Sequence, residues 1–322
     1  MPNEKVRWLV KSEDETDESY GKPPQDRSME EAINNSIIII DKQAGPTSHQ
    51  VTKWVCDIFK DYAKVAGHSG TLDPAVTGVL PVVLGNATKA MTALNLGKEY
   101  VGVMHIHKPL PRDAVESVTR QFVGKIKQLP PVKSAIARKL REREVYFFDI
   151  LEMEGQDILF KVGCEAGTYI RKLCHDIGQK LGVGAHMAEL RRTKVGDFTE
   201  EQSHSLVEVK DAYEFWRSGD EKKLRKILMP VEHALLHLKA VLLKDSAVDA
   251  VCNGSPAYAS GLARIQDGTA AGELVAIYTL KGEIVALGIA RMESKEMLKA
   301  KRGVAVRTDR VFMDRGIYPR WK

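Results

Sequence analysis

The chain has 322 residues, 43% of them hydrophobic, which is enough for about two domains with sizeable cores. No apolar run approaches the ~18 residues of a membrane span, and no charged-then-apolar signal opens the chain, so a cytoplasmic protein without a membrane partner is expected. The formal net charge of +5 is uneven, with nine acids against five bases in residues 1–35 and ten bases against four acids in residues 291–322, and a basic body suits an anionic partner such as nucleic acid.

Residues 1–35 read as an acid-rich N-terminal extension around Glu13–Glu18. Ser36–Asp41 is a buried strand that stops at Gly45-Pro46. Thr47-Ser48 caps a helix to about Tyr62, with Val51, Val55 and Ile58 on one face. Residues 67–78 form a turn-rich loop, and Val79–Leu84 is apolar again. Glu99–His107 and Val145–Val162 have the β-branched and aromatic character of strands, and Arg112–Phe122 between them reads as a helix. Tyr169–Leu181 is a second helix, with Ile170, Leu173, Ile177 and Leu181 at helical spacing, and Ala185–Arg192 reads as a further helical turn or two. Strands mixed irregularly with helices predict an α+β fold. Beyond about residue 236, short strands at Leu274–Tyr278 and Ile284–Gly288 alternate with glycine turns, the pattern of a small β-barrel-like domain. The expected domains are therefore 1–35, 36–235 and 236–322.

Cys56, Cys164, Cys174 and Cys252 form no Cys-x-x-Cys pair and no histidine cluster completes a metal-ligand spacing, so buried free thiols are expected and no metal site.

Chemistry concentrates in Gly67-His68-Ser69-Gly70-Thr71-Leu72-Asp73-Pro74-Ala75-Val76-Thr77-Gly78. Glycines let a backbone turn sharply or approach a ligand, and Pro74 steers Asp73 to an extended backbone. A phosphate-binding loop would need a lysine that is absent here. A hydrolase triad from His68, Ser69 and Asp73 would need residues adjacent in sequence to converge on one atom, and no Gly-x-Ser-x-Gly elbow occurs. An acid-bearing RNA-modification loop and a plain Asp-Pro turn both remain open on the residues alone.

This segment resembles the catalytic loop of the TruB family of pseudouridine synthases, above all in Gly-His-Ser-Gly-Thr-Leu-Asp-Pro. Lys98-Glu99-Tyr100, Gln128–Ala135, Gly167-Thr168-Tyr169-Ile170-Arg171 and Gly184–Arg192 resemble further family motifs in the family's order. Glu165–Asp176 is similar to the archaeal and eukaryotic branch that includes dyskerin, and the C-terminal region, with Lys244–Val248, is similar to its PUA domain. Ala75 departs from that branch, which typically carries lysine there.

The resemblance implies a mixed, largely antiparallel sheet flanked by helices, followed by a PUA barrel on which part of residues 1–35 packs. It implies that Asp73 is the catalytic carboxylate, as nucleophile or base. Arg171 would pair with it in a buried ion pair, Tyr100 would meet the target base, Tyr169 and Leu190 would wall the pocket, and His68 would help displace the base. Lys133, Arg138, Lys139, Arg141 and Arg143 would contact phosphates. Gly254 and Gly261 would let the PUA backbone approach the lower stem and ACA end of a guide RNA. No cofactor is needed for a redox-neutral isomerisation. The implied partners are an H/ACA guide RNA, substrate tRNA or rRNA, and three small proteins: a zinc-binding, a β-barrel and a kink-turn-binding protein. A stand-alone tRNA synthase and a non-catalytic RNA-binding scaffold are the alternatives. Intact Asp73, Tyr100 and Arg171 argue against the scaffold.

Overall fold

The computed structural model describes residues 7–129 and 139–320. In chain order, β1 (Trp8–Val10) and α1 (Met29–Asn34) precede β2 (Ser36–Lys42), α2 (Ser48–Ile58), β3 (Ala66–His68), β4 (Thr77–Leu84) and β5 (Lys98–Ile106). Then come α3 (Arg112–Thr119), β6 (Gly124–Gln128), β7 (Arg141–Glu154), β8 (Asp157–Cys164), α4 (Ile170–Lys180), β9 (Ala185–Val195) and β10 (Phe198–Thr199). They are followed by α5 (Leu206–Arg217), α6 (Lys222–Ile227), β11 (Met229–Pro230) and α7 (Val231–Ala234). The C-terminal part adds β12 (Lys239–Leu243), α8 (Asp245–Cys252), β13 (Ala257–Tyr258), β14 (Leu262–Gln266), β15 (Leu274–Tyr278), β16 (Ile284–Ala290), α9 (Ser294–Lys299) and β17 (Val304–Val311). None of these helices is long and apolar enough to cross a membrane.

Among the described residues two sheets form. The larger runs β11-β2-β4-β9-β5-β8-β7-β6, with β3 and β10 attached at its middle, and the smaller runs β1-β14-β12-β15-β16-β17-β13. In the larger sheet only β4 and β9 pair in parallel. The smaller sheet borrows β1, which pairs antiparallel with β14, so the N-terminal extension is built into the C-terminal unit.

The run of four isoleucines in β2 shows how the layers meet. Side chains alternate across a strand. Ile38 and Ile40 therefore pack with Val51, Val55 and Phe59 against α2 and α5. Ile37 and Ile39 face the other way, into a core that also holds Ala240, Leu242, Ala276 and Leu287 of the smaller sheet. One continuous apolar core thus joins the two sheets. A third core packs α4, through Ile170, Leu173 and Ile177, on Tyr100, Phe160 and Val162.

The helix expected over Ala185–Arg192 is corrected: these residues belong to β9, which pairs antiparallel with β5 from Lys98↔Val195 to Ile106↔Ala185. Alanine, methionine, glutamate and leucine favour a helix, but Gly182 and Gly184 sit at φ 75° and 76° and break the turn out of α4. Pairing along the whole of β5 then overrides local propensity. The helix expected to reach Tyr62 ends as α2 at Ile58, with Phe59 as its C-cap.

The parallel contact of β4 with β9 demands glycine at position 78. Gly78 has φ +103°, and a Cβ there would lie 2.1 Å from the Arg192 carbonyl oxygen. Gly78→Ala should therefore lower stability by about 3 kcal/mol, combining backbone strain with overpacking against main chain. Urea denaturation measures this, and an unchanged midpoint would show that the two strands can part at no cost.

Candidate active site

Asp73 stands on the loop between β3 and β4, and that loop is fastened by its neighbours rather than by its own carboxylate. Ser48 at the start of α2 donates through Oγ to the Leu72 carbonyl at 3.1 Å and accepts from the Leu72 amide at 2.8 Å. The Gly45 amide donates to the Pro74 carbonyl at 2.9 Å, and the Val76 amide closes a turn on the Asp73 carbonyl at 3.0 Å. Lys42, buried at 1% exposure, donates to the carbonyls of Pro74 at 3.1 Å and Val76 at 2.8 Å. Arg192, fully buried, donates from Nη2 to the Gly70 carbonyl at 2.9 Å and from Nε to the Val79 carbonyl at 2.7 Å. Lys98 packs against the back of Gly70, whose φ of +77° and missing Cβ admit its Cε.

Asp73 projects from this cradle and meets Arg171 through Oδ2 and Nη2. Arg171 is the second residue of α4, and the turn before that helix is held by Gln128, which accepts from the Tyr169 amide at 2.9 Å and donates to its carbonyl at 3.2 Å. The pair is more open than the sequence led us to expect: the two side chains remain 52% and 56% exposed. Both charges therefore keep much of their water.

The other expected residues stand on β3, β5, β9 and at the start of α4. Tyr100 on β5 is 7% exposed, with Arg192 of β9 as its cross-strand partner. Burial pushes its phenol up and the Arg192 guanidinium opposes that push. Leu190 on β9 lies over Gly102, where a Cβ would sit 2.8 Å from the leucine Cδ1, so glycine makes its room. Tyr169 is partly buried as the N-cap residue of α4. His68 on β3 meets His49 of α2 edge to face, ring centroids 4.9 Å apart. Burial, with His49 and Arg192 beside it, pulls the His68 imidazole down to about 4. It is neutral at neutral pH and so acts there as a hydrogen-bonding group, not as a cation.

The basic stretch is only partly in view. Lys133 and Arg138 lie outside the described residues. Lys139 is exposed and Arg141 half-buried at the start of β7. Arg143 turns inward: it lies 3.7 Å from the Glu165 carboxylate and packs on Gly167, so it buttresses the turn before α4 instead of facing solvent. In the C-terminal unit, Gly254 has φ +88° and nothing within 4 Å of a would-be Cβ. Gly261 is different: a Cβ there would lie 2.7 Å from that of Ala247, so this glycine serves internal packing on α8.

Sequence reasoning missed Lys42, Ser48, Lys98, Gln128 and Arg192. Taking a cation out of water costs several kcal/mol, so buried Lys98 and Arg192 must have a structural or chemical reason. Burial and the repulsion of Arg192 pull the Lys98 ammonium down to about 8. All four cysteines are free. Among the described residues no group of three or more histidines, cysteines and acids could hold a metal ion.

Known proteins resemble this chain along almost its whole length. The TruB family pseudouridylate synthase N-terminal domain matches residues 58–170, and the tRNA pseudouridylate synthase B C-terminal domain matches residues 171–236. Asp73 and Arg171 come one from each. A PUA domain matches residues 239–312 and a DKCLD domain residues 3–52. The chain is 52% identical to a probable tRNA pseudouridine synthase B of Methanopyrus kandleri, covering 99% of this chain and 95% of that one. It is 49% identical to the protein of the same description from Methanocaldococcus jannaschii, covering 99% and 96%. Among solved structures it matches one of a Cbf5-Nop10-Gar1 complex at TM-score 0.91 and 49% identity, covering 98% of this chain and 97% of that one. It matches one of an H/ACA RNP bound to a substrate RNA containing 2′-deoxyuridine at TM-score 0.90 and 48% identity, with the same coverage. With near-complete coverage at about half identity, and with the acid loop, the arginine helix and both flanking domains in place, the chain belongs to the TruB family of pseudouridylate synthases, in the dyskerin-like branch.

Proposed function

We propose that this chain isomerises uridine to pseudouridine in RNA as the catalytic subunit of an H/ACA guide-RNA particle, with Asp73 as the catalytic carboxylate. The observation that carries the reading is the Asp73–Arg171 pair, open to solvent, on a tightly fastened loop whose Leu72 and Val76 pack in the same core as Tyr100. Breaking the N1–sugar bond, rotating the uracil and rebonding through carbon 5 asks for an anionic carboxylate in one orientation. Arg171 holds the carboxylate in one orientation. The carboxylate then attacks the sugar or base, or removes a proton from the sugar. A uridine turned out of its stack covers the exposed pair and excludes water from it. Tyr100, Tyr169 and Leu190 are the residues we assign to contact the base, and His68 to the place the base leaves.

Lys133, Arg138, Lys139 and Arg141 are assigned to phosphates, and the C-terminal unit, around Gly254 and Gly261, to the lower stem and ACA end of the guide. We divide the chain at residues 35 and 235 into extension, catalytic domain and PUA domain, and place it in the cytoplasm. Likeness to the H/ACA and Cbf5-Nop10-Gar1 structures supports small protein partners, and the wider resemblance supports a zinc-binding, a β-barrel and a kink-turn-binding protein. The description of the curated relatives as probable tRNA pseudouridine synthases favours tRNA as a second substrate, which we assign to a guide-free activity.

Both readings are tested by incubating the full chain and small partner proteins with a guide and its complementary target, and separately with unmodified tRNA and no guide. Mass-spectrometric mapping should find pseudouridine in the guided target only when the guide is present. Modification of tRNA alone would replace the guided reading with the stand-alone one. Modification of neither would remove the catalytic reading.

A further inference from the structure

Arg192 is a fully buried arginine with no carboxylate partner among the described residues, and its side chain donates to the main chain at both ends of the loop that carries Asp73. Its Nη2 and Nε reach Gly70 and Val79, which lie on either side of Asp73. One rigid fork therefore ties both ends of the loop to β9. The strand is bent to bring it there. Glu99 pairs with Lys194 but Tyr100 pairs with Arg192, so Thr193 is skipped in a β-bulge. Bulges re-aim side chains and recur beside active sites. This one sets the guanidinium against Tyr100, its cross-strand partner on the same face. The guanidinium also interacts with the Tyr100 hydroxyl, while its Nη1 closes no hydrogen bond of good geometry and the skipped Thr193 leaves its buried Oγ1 unpartnered. Orphaned donors and a lone cation are unfavourable in a core, and a hydrophobic residue would fill the space more stably.

We infer that Arg192 is a positioning residue for the isomerisation, clamping the Asp73 loop at both ends and registering it against Tyr100. Lys98, packed behind Gly70, and Lys42, bonded to Pro74 and Val76, support the same loop from its other sides. The inference rests on the reading above that Asp73 and Tyr100 act on the base. It adds that their mutual geometry is set by a side chain that touches neither sugar nor uracil.

Arg192→Lys and Arg192→Met in the full chain test it, with Asp73→Asn in the same single-turnover assay. Rates and RNA affinities are measured separately, at a temperature where circular dichroism shows each variant folded. A displacement of the loop by about 1 Å should cost roughly 100-fold in rate. We expect that loss in Arg192→Met with RNA affinity within threefold of wild type. Arg192→Lys should recover only part of the rate, because an ammonium cannot span both carbonyls in one plane. If Arg192→Met does not fold, Arg192→Lys alone decides, since it keeps the charge. A folded lysine variant turning over at the wild-type rate overturns the inference, and so does a loss confined to RNA affinity or to the unfolded fraction. If Asp73→Asn is also fully active, the underlying reading fails instead, so the two failures are told apart.

Discussion

Asp73→Asn will leave the fold and RNA affinity intact and reduce turnover by ~10³-fold or more. An amide is nearly the same shape as a carboxylate but can be neither an anionic nucleophile nor a base. The fold is expected to survive because nothing in the loop leans on this carboxylate. Ser48 fixes Leu72, Lys42 fixes Pro74 and Val76, and Arg192 fixes Gly70 and Val79. The side chain of Asp73 is itself 52% exposed. Three measurements separate chemistry from structure: single-turnover rates, RNA binding isotherms and thermal denaturation. A rate within tenfold of wild type would remove Asp73 from the chemistry. Loss of RNA binding alongside the rate would make it a binding residue.

The loop stood out in the sequence by its three glycines, proline and acid, but those residues alone left a plain Asp-Pro turn open, and only the family resemblance singled out Asp73 and Arg171. The α+β layout followed from periodicity, and β2 from its isoleucines. Three things were hidden, each for a physical cause. β9 has helix-forming composition, and only its long-range ladder with β5 makes it a strand. Ser48 reads as half of a helix cap, yet Thr47 is the N-cap, and Ser48 turns its hydroxyl to Leu72 across a gap of 24 residues. Arg192 reads as one more surface arginine in a Leu-Arg-Arg run. Its neighbour Arg191 behaves that way, bridging Asp41 at the surface, while the strand pleat sends Arg192 inward. Side-chain direction in a strand alternates, so a wrong helix assignment also concealed which arginine was buried.

The openness of the Asp73–Arg171 pair changes what removing Arg171 should do. Breaking a buried pair would cost about 3–5 kcal/mol by stranding a charge. An exposed pair contributes ~0–1 kcal/mol, because water and salt already solvate both partners. Arg171→Ala should therefore move the thermal midpoint by no more than about 4 °C. Turnover should fall far more, by roughly 100-fold. Once RNA covers the site, Asp73 loses its water, and without Arg171 the lone carboxylate either drifts or takes up a proton. The stability and the rate of this variant thus report two different environments for the same pair. Arg171→Lys should restore the charge but only part of the rate, since an ammonium does not hold a carboxylate in one plane. The salt dependence of Arg171→Ala stability should match wild type, because little ion-pair energy is there to screen. Calorimetry and single-turnover kinetics on the three proteins check this. A midpoint lowered by more than about 8 °C with turnover preserved would make Arg171 a structural anchor for α4 and leave Asp73 to act without it.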